Sequence, residues 1–255
     1  MGIQKEQELK IIRQVKQIRQ QQVKLGTRKL YHELEPLLKQ LGRGMGRDKF
    51  FDLLRRHGLL IKRKRRYAVT TQSNHPYYKY SNELQDAIIT APNQAWVSDI
   101  TYLRTRSGFL YLSLLTDVYS RKIVGWQVDR SLGVETCIKA LRKALRQTDR
   151  TEELIHHSDR GIQYCCYAYT DILGKKQMKI SMGAAGNCYD NAIAERVNGI
   201  LKQEYLLDDE FKDLNQAIAA TRQAIYMYNY KRPHWSLNLK KPADVHDVLS
   251  KRNHN

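Results

Sequence analysis

Acidic residues are scarce in this chain: 26 Asp and Glu stand against 44 Lys and Arg in 255 residues, a formal net charge of +18. So strong an imbalance points to a polyanionic partner and away from an acidic, self-solvating protein. Cysteine is also sparse. The four thiols, Cys137, Cys165, Cys166 and Cys188, form no CxxC pair and no zinc spacing with histidine. Cys165 and Cys166 are neighbours, which does not suit an ordinary disulfide, so reduced structural thiols of a cytosolic protein are expected. No apolar run approaches the roughly 18 residues that span a bilayer, and no signal-peptide pattern opens the chain. A soluble cytoplasmic protein, associated with the nucleoid if its partner is DNA, is the expectation. Internal repeats and low-complexity tracts are absent, which leaves an ordinary globular chain of one large or two modest domains.

The positive charge is concentrated. Residues 1–80 hold 20 of the Lys and Arg but only 6 of the Asp and Glu. Within them, residues 3–25 carry Ile11, Ile12, Val15 and Ile18 at helical spacing. Thr27 can cap a second helix with Leu30, Tyr31, Leu34, Leu37 and Leu38 inward, and a glycine-punctuated turn follows at 41–46. A third helix buries Phe50, Phe51, Leu53 and Leu54, and Gly58 can end it. Helix, glycine turn and helix over about 26–58 outline a helix-turn-helix, with Arg47, Lys49, Arg55 and Arg56 on or near its exposed side. The tract Lys62-Arg63-Lys64-Arg65-Arg66 places five cations side by side, which suits phosphate contact. Residues 1–66 are therefore read as a helical DNA-binding region and 67–93 as a linker. In that linker, packing against a core is favoured over base stacking for Tyr77, Tyr78 and Tyr80.

From residue 94 the pattern changes. Residues 95–104, 109–118 and 122–129 are rich in β-branched and aromatic residues and read as three consecutive antiparallel strands. A helix marked by Val134, Cys137, Ile138, Leu141 and Leu145 follows. Next come a short strand ending at Asp159, a helix over 163–176, a strand over 178–182, and helices over about 190–206 and 212–230. The order βββαβαβα predicts an α/β, ribonuclease-H-like core over 94–245, with a mixed five-stranded sheet, flanking helices, and a tail from 246.

Asp99 lies in the apolar strand Trp96-Val97-Ser98-Asp99-Ile100-Thr101, where a charge is costly unless it is paired or binds metal. Asp159 ends a strand, and Glu195 lies on a helix whose polar face also carries Asn191, Asn198 and Lys202. Such a carboxylate set suits hard divalent cations, and two Mg²⁺ or Mn²⁺ ions serve in-line phosphoryl transfer. Lys202 points along the same face toward a phosphate. Turn, cap or structural roles suit Asp117, Asp190, His156 and His157 better, and Glu204 falls nearer the apolar side.

The segments Trp96–Tyr102, Ser120–Trp126, His157–Gly161, Gly186–Ala192, Ala194-Glu195 and Tyr228–His234 resemble transposases of the IS-three family of bacterial insertion sequences. The likeness covers residues 94–245 closely, and 26–66 is similar to the family's helix-turn-helix segment. It implies a retroviral-integrase-like DDE core encoded by the second reading frame, a polynucleotidyl transferase that nicks transposon ends and transfers the 3′-hydroxyl to target DNA. It further implies Asp99, Asp159 and Glu195 as metal-binding catalytic triad and Lys202 as the basic residue beyond it. The implied partners are terminal inverted repeats, target DNA, further copies of the chain, and the first-frame product, either separate or fused. Two other readings stay open: a DNA-binding regulator or partner-dependent subunit, and another ribonuclease-H-fold nuclease.

Overall fold

The computed structural model describes residues 2–41, 45–61, 75–148, 151–183 and 191–252. The glycine turn at 42–44, the basic tract 62–66, Cys188, and the loop motif up to Asp190 lie outside the described residues. The chain divides into two compact units, one of Met1–Tyr67 with Gln203–Leu206, the other of Ala68–Lys202 with Leu207–Asn255.

The first unit contains α1 (Gly2–Gln21), α2 (Thr27–Gln40) and α3 (Arg47–Arg56). Ile11, Ile12 and Val15 of α1 pack with Leu30, Leu34, Leu38, Phe50, Leu53 and Leu54 in one apolar cluster. Phe51, expected in that core, is only half-buried. The expected Thr27 cap is replaced by Gly26, whose extended backbone directs its carbonyl at the amides of Lys29 and Leu30, while Thr27 is already helical and buried. At the far end Gly58 takes φ +65°, and Leu59 N–H closes back on the Leu54 carbonyl at 2.8 Å. That left-handed position favours glycine and turns the chain out of α3.

The second unit is built on β1 (Ala95–Thr105), β2 (Gly108–Asp117), β3 (Ile123–Asp129), β4 (Ile155–Ser158) and β5 (Lys179–Met182). The sheet order is β3-β2-β1-β4-β5, with β1 antiparallel to β2, β2 antiparallel to β3, and β1, β4 and β5 mutually parallel. This is the expected mixed sheet. Its helices are α4 (Val134–Leu145), α5 (Ile162–Cys165), α6 (Tyr167–Lys175), α7 (Ala192–Glu204), α8 (Leu214–Tyr230) and α9 (Pro242–Arg252).

Alternation along β1 sends neighbouring side chains to opposite faces. Ser98 Oγ donates to Tyr164 Oη of α5 at 3.1 Å, whereas Asp99 faces α7 through Asn198. On the Ser98 face, α4, α5 and α6 cover a core of Trp96, Leu115, Val124, Ile138, Leu141, Tyr169 and Leu173. The single helix expected at 163–176 is broken at Cys166, which is extended at ψ 147°. Tyr164 and Tyr169 sit five residues apart, about 140° around a helix. The break lets both bury and contact His156, with ring centroids 6.2 and 5.4 Å away.

Both sheet edges are covered. Along β5, Met182 N–H donates to Ser81 O and Leu84 N–H to Ser181 Oγ, so the supposed linker is strapped to the sheet from residue 81. Tyr77 and Tyr80 pack on the core and Tyr78 is exposed. Along β3, the Asn229 side chain of α8 brackets Ile123, accepting from its N–H at 2.9 Å and donating to its carbonyl at 3.0 Å. The tail expected from 246 is instead helical to Arg252, because Ser120 Oγ, 2.9 Å from buried His246 Nδ1, ties α9 to the β2–β3 turn. No helix among the described residues is long and apolar enough to cross a membrane.

Gly125 lies under α4 so closely that a Cβ would meet the Ala140 carbonyl at 2.4 Å and Ala144 Cβ at 2.9 Å. Gly125→Ala should therefore cost about 1–3 kcal/mol of stability through overpacking. Urea unfolding measures it, and an unchanged midpoint would mean that α4 retreats freely.

Candidate active site

The β1–β4 register pairs Trp96 with His156 and Val97 with His157. Two residues beyond the last of these pairs stand Asp99, still within β1, and Asp159, just past the end of β4, and the charge of Asp159 is felt at Asp99. Asp159 ends its strand in a side-chain turn, its Oδ1 accepting from Gly161 N–H at 3.0 Å. A Cβ at 161 would stand 3.0 Å from that oxygen, so glycine is what lets the carboxylate fold back over the turn.

Asp99 is half-buried. Its Oδ1 accepts from Ile100 N–H at 2.9 Å and its Oδ2 from Asn198 Nδ2 at 2.7 Å. Both bonds favour the charged form, yet burial and then the charge of Asp159, with a lesser contribution from Glu195, push the carboxyl up to about 7. Desolvation and like charge outweigh two hydrogen bonds here.

Glu195 is exposed on α7. Four residues before it, Asn191 Nδ2 donates to Ser98 O at 3.1 Å, and three after it comes Asn198. These two amides fix the polar face of α7 along β1, and Glu195 lies between them on that face. Lys202, two turns beyond Glu195, has its amine drawn down mainly by burial, with Arg104 adding to the fall and Asp208 and Asp99 opposing it. Asp159, Glu195 and Lys202 thus each lie within electrostatic reach of Asp99. Among the described residues, however, no three His, Cys, Asp or Glu side chains converge closely enough to hold a metal ion as they stand.

The rivals have structural work. Asp117 is buried and gathers a turn: Oδ1 accepts from Ser120 N–H and Oγ, both at 2.7 Å, and Oδ2 from Asn93 N–H at 2.7 Å. His156 bonds Tyr169 Oη at 2.9 Å, and burial drives its pKa down to about 3. His157 is bonded to Ser181 Oγ at 2.8 Å. Burial also raises the Cys137 and Cys165 thiols to about 12 and 11, as expected of inert structural cysteines. In the first unit, Arg47, Lys49, Arg55 and Arg56 are exposed, but Arg55 pairs with Asp52, Arg56 with Glu8 at 3.0 Å, and Arg47 with Asp48 at 3.7 Å. Exposed pairs of this kind are weak and open to exchange.

Sequence reasoning missed Asn198 as the partner of Asp99. The signal was available: it lies three residues after Glu195 on the same helical face. It also missed Asn229, whose bond to a backbone has no sequence signature.

Two family models, each described as an integrase core domain, match residues 89–188 and 176–242. An uncharacterized 31 kDa protein of insertion element IS600 from Shigella sonnei is 40% identical over 242 residues, 94% of this chain and 87% of that one. The transposase InsF of insertion sequence IS3A from Escherichia coli K12 is 38% identical over 159 residues, 62% of this chain and 55% of InsF. This chain belongs to the IS3 family of insertion-sequence transposases. It spans about half the length of InsF. Among solved structures, bovine immunodeficiency virus (BIV) integrase catalytic core aligns with TM-score 0.50 at 16% identity, over 64% of this chain and 99% of that one. The simian T-cell lymphotropic virus intasome in complex with a PP2A regulatory subunit gives 0.54 at 17%, over 87% and 74%. At such identities the likeness concerns the fold, and it agrees with the ribonuclease-H-like core. Family membership sets aside the reading as an unrelated ribonuclease-H-fold nuclease.

Asp99 titrates near 7 when folded but near 4 when unfolded, so the unfolded chain ionises first. Its contribution to stability therefore falls as pH rises from about 4 to 7 and is flat above. In EDTA at pH 8, Asp99→Asn should be more stable than wild type, by at most about 4 kcal/mol, with the gap closing toward pH 4. Urea midpoints at pH 5, 6.5 and 8 measure this; a gap independent of pH would refute the raised carboxyl.

Proposed function

We propose that the chain cuts DNA at the ends of its insertion sequence and joins the freed 3′ ends to new DNA, with Asp99, Asp159 and Glu195 as its catalytic triad. The observation that carries this reading is the Asp99 carboxyl, raised to about 7 by burial first, then by the charge of Asp159 and, least, by that of Glu195. A cation between these groups would relieve that repulsion, and oxygen-only donors suit magnesium or manganese. The three carboxylates would hold two such ions, which when bound supply the positive charge that activates the attacking oxygen and stabilises the leaving one.

The remaining roles belong to the chain. Asn198, with Ile100 N–H, holds the Asp99 carboxylate in one orientation, and the Gly161 turn does the same for Asp159. Lys202 meets a phosphate oxygen next to the reacting one. In the first step water attacks the phosphorus at the transposon end and the 3′-oxygen leaves as a hydroxyl. In the second step that hydroxyl attacks a phosphodiester of the target, whose own 3′-oxygen departs. Each step exchanges one P–O bond for another, and no covalent bond to the protein is needed. His156, held to Tyr169 and pushed down to about 3, is no proton carrier at neutral pH.

In the first unit, Arg47, Lys49, Arg55 and Arg56 of a helix-turn-helix, with Lys62, Arg63, Lys64, Arg65 and Arg66, would bind the terminal repeats. Two ends must be joined together, so several copies on DNA form the working assembly, acting on the bacterial nucleoid in the cytoplasm, and the first-frame product, separate or fused, would join it in the cell without being required for the chemistry.

Strand transfer with a labelled terminal-repeat duplex and Mg²⁺ or Mn²⁺ tests this. Wild type should give joined product, and Asp159→Asn and Glu195→Gln should drop to background with duplex affinity retained. Asn198→Ala should lose about 10- to 100-fold, as ligand-orienting residues do. Equal product from all would refute the triad; tight binding without product from wild type would favour a subunit that depends on its partner.

A further inference from the structure

At the β3 edge of the sheet, a cleft of about 390 Å³ runs between β3, α4 and α8. Its charged lining is entirely cationic: Lys122, Lys143, Arg146 and Arg222, with no Asp or Glu. Lys122 is offset by Asp247 at 2.9 Å. Among the described residues the others are not offset. Arg146 and Arg222 are exposed and make no ion pair among the described residues. The Lys143 amine is anchored in the cleft, donating to Trp126 O at 3.1 Å and Gln127 Oε1 at 2.8 Å, and lies 4.8 Å from the Trp126 ring centre. Burial first, then Arg222, Arg146 and Lys139, draw that amine below the usual lysine range. Lys139 itself is paired with Asp129 at 3.1 Å.

Along α8, Arg222, Tyr226 and Tyr230 recur every four residues and form one stripe on the cleft wall. The two tyrosine rings lie 5.2 Å apart at 32°, exposed by 51% and 43%. Two arginines without ion pairs among the described residues, beside an anchored lysine, form a positive surface suited to the phosphate oxygens of a duplex backbone. Three separated positive charges suit a repeating polyanion better than one isolated phosphate. A second copy of the chain is disfavoured there, because a two-fold axis through the cleft would set like charge against like.

We propose that this cleft is a second DNA site, holding the phosphodiester backbone of a duplex segment against Lys143, Arg146 and Arg222. It is distinct from the candidate active site at β1 and β4, and it rests on the reading of the chain as a DNA-joining enzyme. Its function is to hold DNA beyond the reacting bond, so it contributes affinity without sequence preference.

The test is binding of a fluorescein-labelled random-sequence 40-bp duplex to the full chain in EDTA, from 50 to 300 mM KCl. Neither Arg146 nor Arg222 belongs to the triad, and both are exposed, so Arg146→Ala with Arg222→Ala should fold. That double variant should lower the log–log salt slope by roughly 2 and weaken binding at 100 mM salt by roughly 50-fold. Arg146→Lys with Arg222→Lys should stay within about twofold of wild type, since phosphate contact is mainly a matter of charge. An unchanged slope and affinity in the alanine pair, with strand transfer intact, would sink the cleft and leave the transposase reading standing. An equal loss in the lysine pair would also sink it, by showing packing rather than charge. So would a fall from dimer to monomer in sedimentation, which would make the face an interface between copies. A wild-type chain without affinity for duplex would overturn both readings.

Discussion

Two carboxylates, one within β1 and one in the turn that ends the parallel strand β4, are the constraint to which the second unit is adapted. Strands β1 and β4 are joined by hydrogen bonds whose register is fixed by buried pairs such as Trp96 with His156. The register fixes where β4 ends relative to β1, and hence where the Asp159 turn begins, because a slip of one residue would exchange the two faces of the sheet. Repulsion that would disperse two surface carboxylates is thereby retained. It adds to burial, the larger cause, in raising the Asp99 carboxyl to about 7 in spite of two hydrogen-bond donors. A site strained in this way has stored affinity for positive charge, and the fold supplies the rigidity that keeps it stored.

The elements around it divide the labour of fixing that geometry. On the Ser98 face, the close approach of α4 to Gly125 and the bonds from Tyr164 and Tyr169 to Ser98 and His156 leave the strands little room to shift. On the Asp99 face, α7 is positioned through two asparagine amides rather than through apolar packing alone. Amides are suited to this duty. They orient a carboxylate without bringing a fixed charge that would compete with a cation, whereas a lysine at Asn198 would neutralise Asp99 outright.

Much of this was legible in the sequence, for physical reasons that also mark the limits. Strands β1 to β3 show themselves by β-branched and aromatic runs between tight turns, and the charge of Asp99 within such a run is conspicuous because burying it is costly. The helix break at Cys166 left no mark, since neither proline nor glycine causes it; two buried tyrosines do, and their burial is a tertiary fact. The same holds for α9, whose 246–252 segment is polar in sequence and is fixed by one buried histidine reaching Ser120. The strap along β5 reads as a linker because its bonds are made by backbone groups, which every sequence possesses. Strand-end and helical context, and then motif similarity, drew attention to Asp159 and Glu195; Asn191 and Asn198 stood on the same polar face, but their bonds to Ser98 and Asp99 are tertiary facts.

The distribution of charge links these features. A net charge of +18 attracts DNA over long range, and it is the local exceptions that give the attraction direction. At the β1–β4 site negative charge is gathered inside a positive chain, so the phosphodiester can approach closely only where cations intervene. At the β3 edge the opposite holds: among the described residues Arg146 and Arg222 have no carboxylate partners, and the cleft lining carries no Asp or Glu to repel a polyanion. Asp99, Leu114 and Trp126 lie in one cross-strand row, the first in the carboxylate site and the last at the cationic cleft. Two strand spacings, about 10 Å, separate the ends of that row. A duplex held at the β3 edge is thus anchored to the same rigid sheet that carries the carboxylates. Binding energy gained at the cleft then restricts where a bond can lie relative to Asp99, which is how a remote contact serves a reaction in which the protein forms no covalent bond.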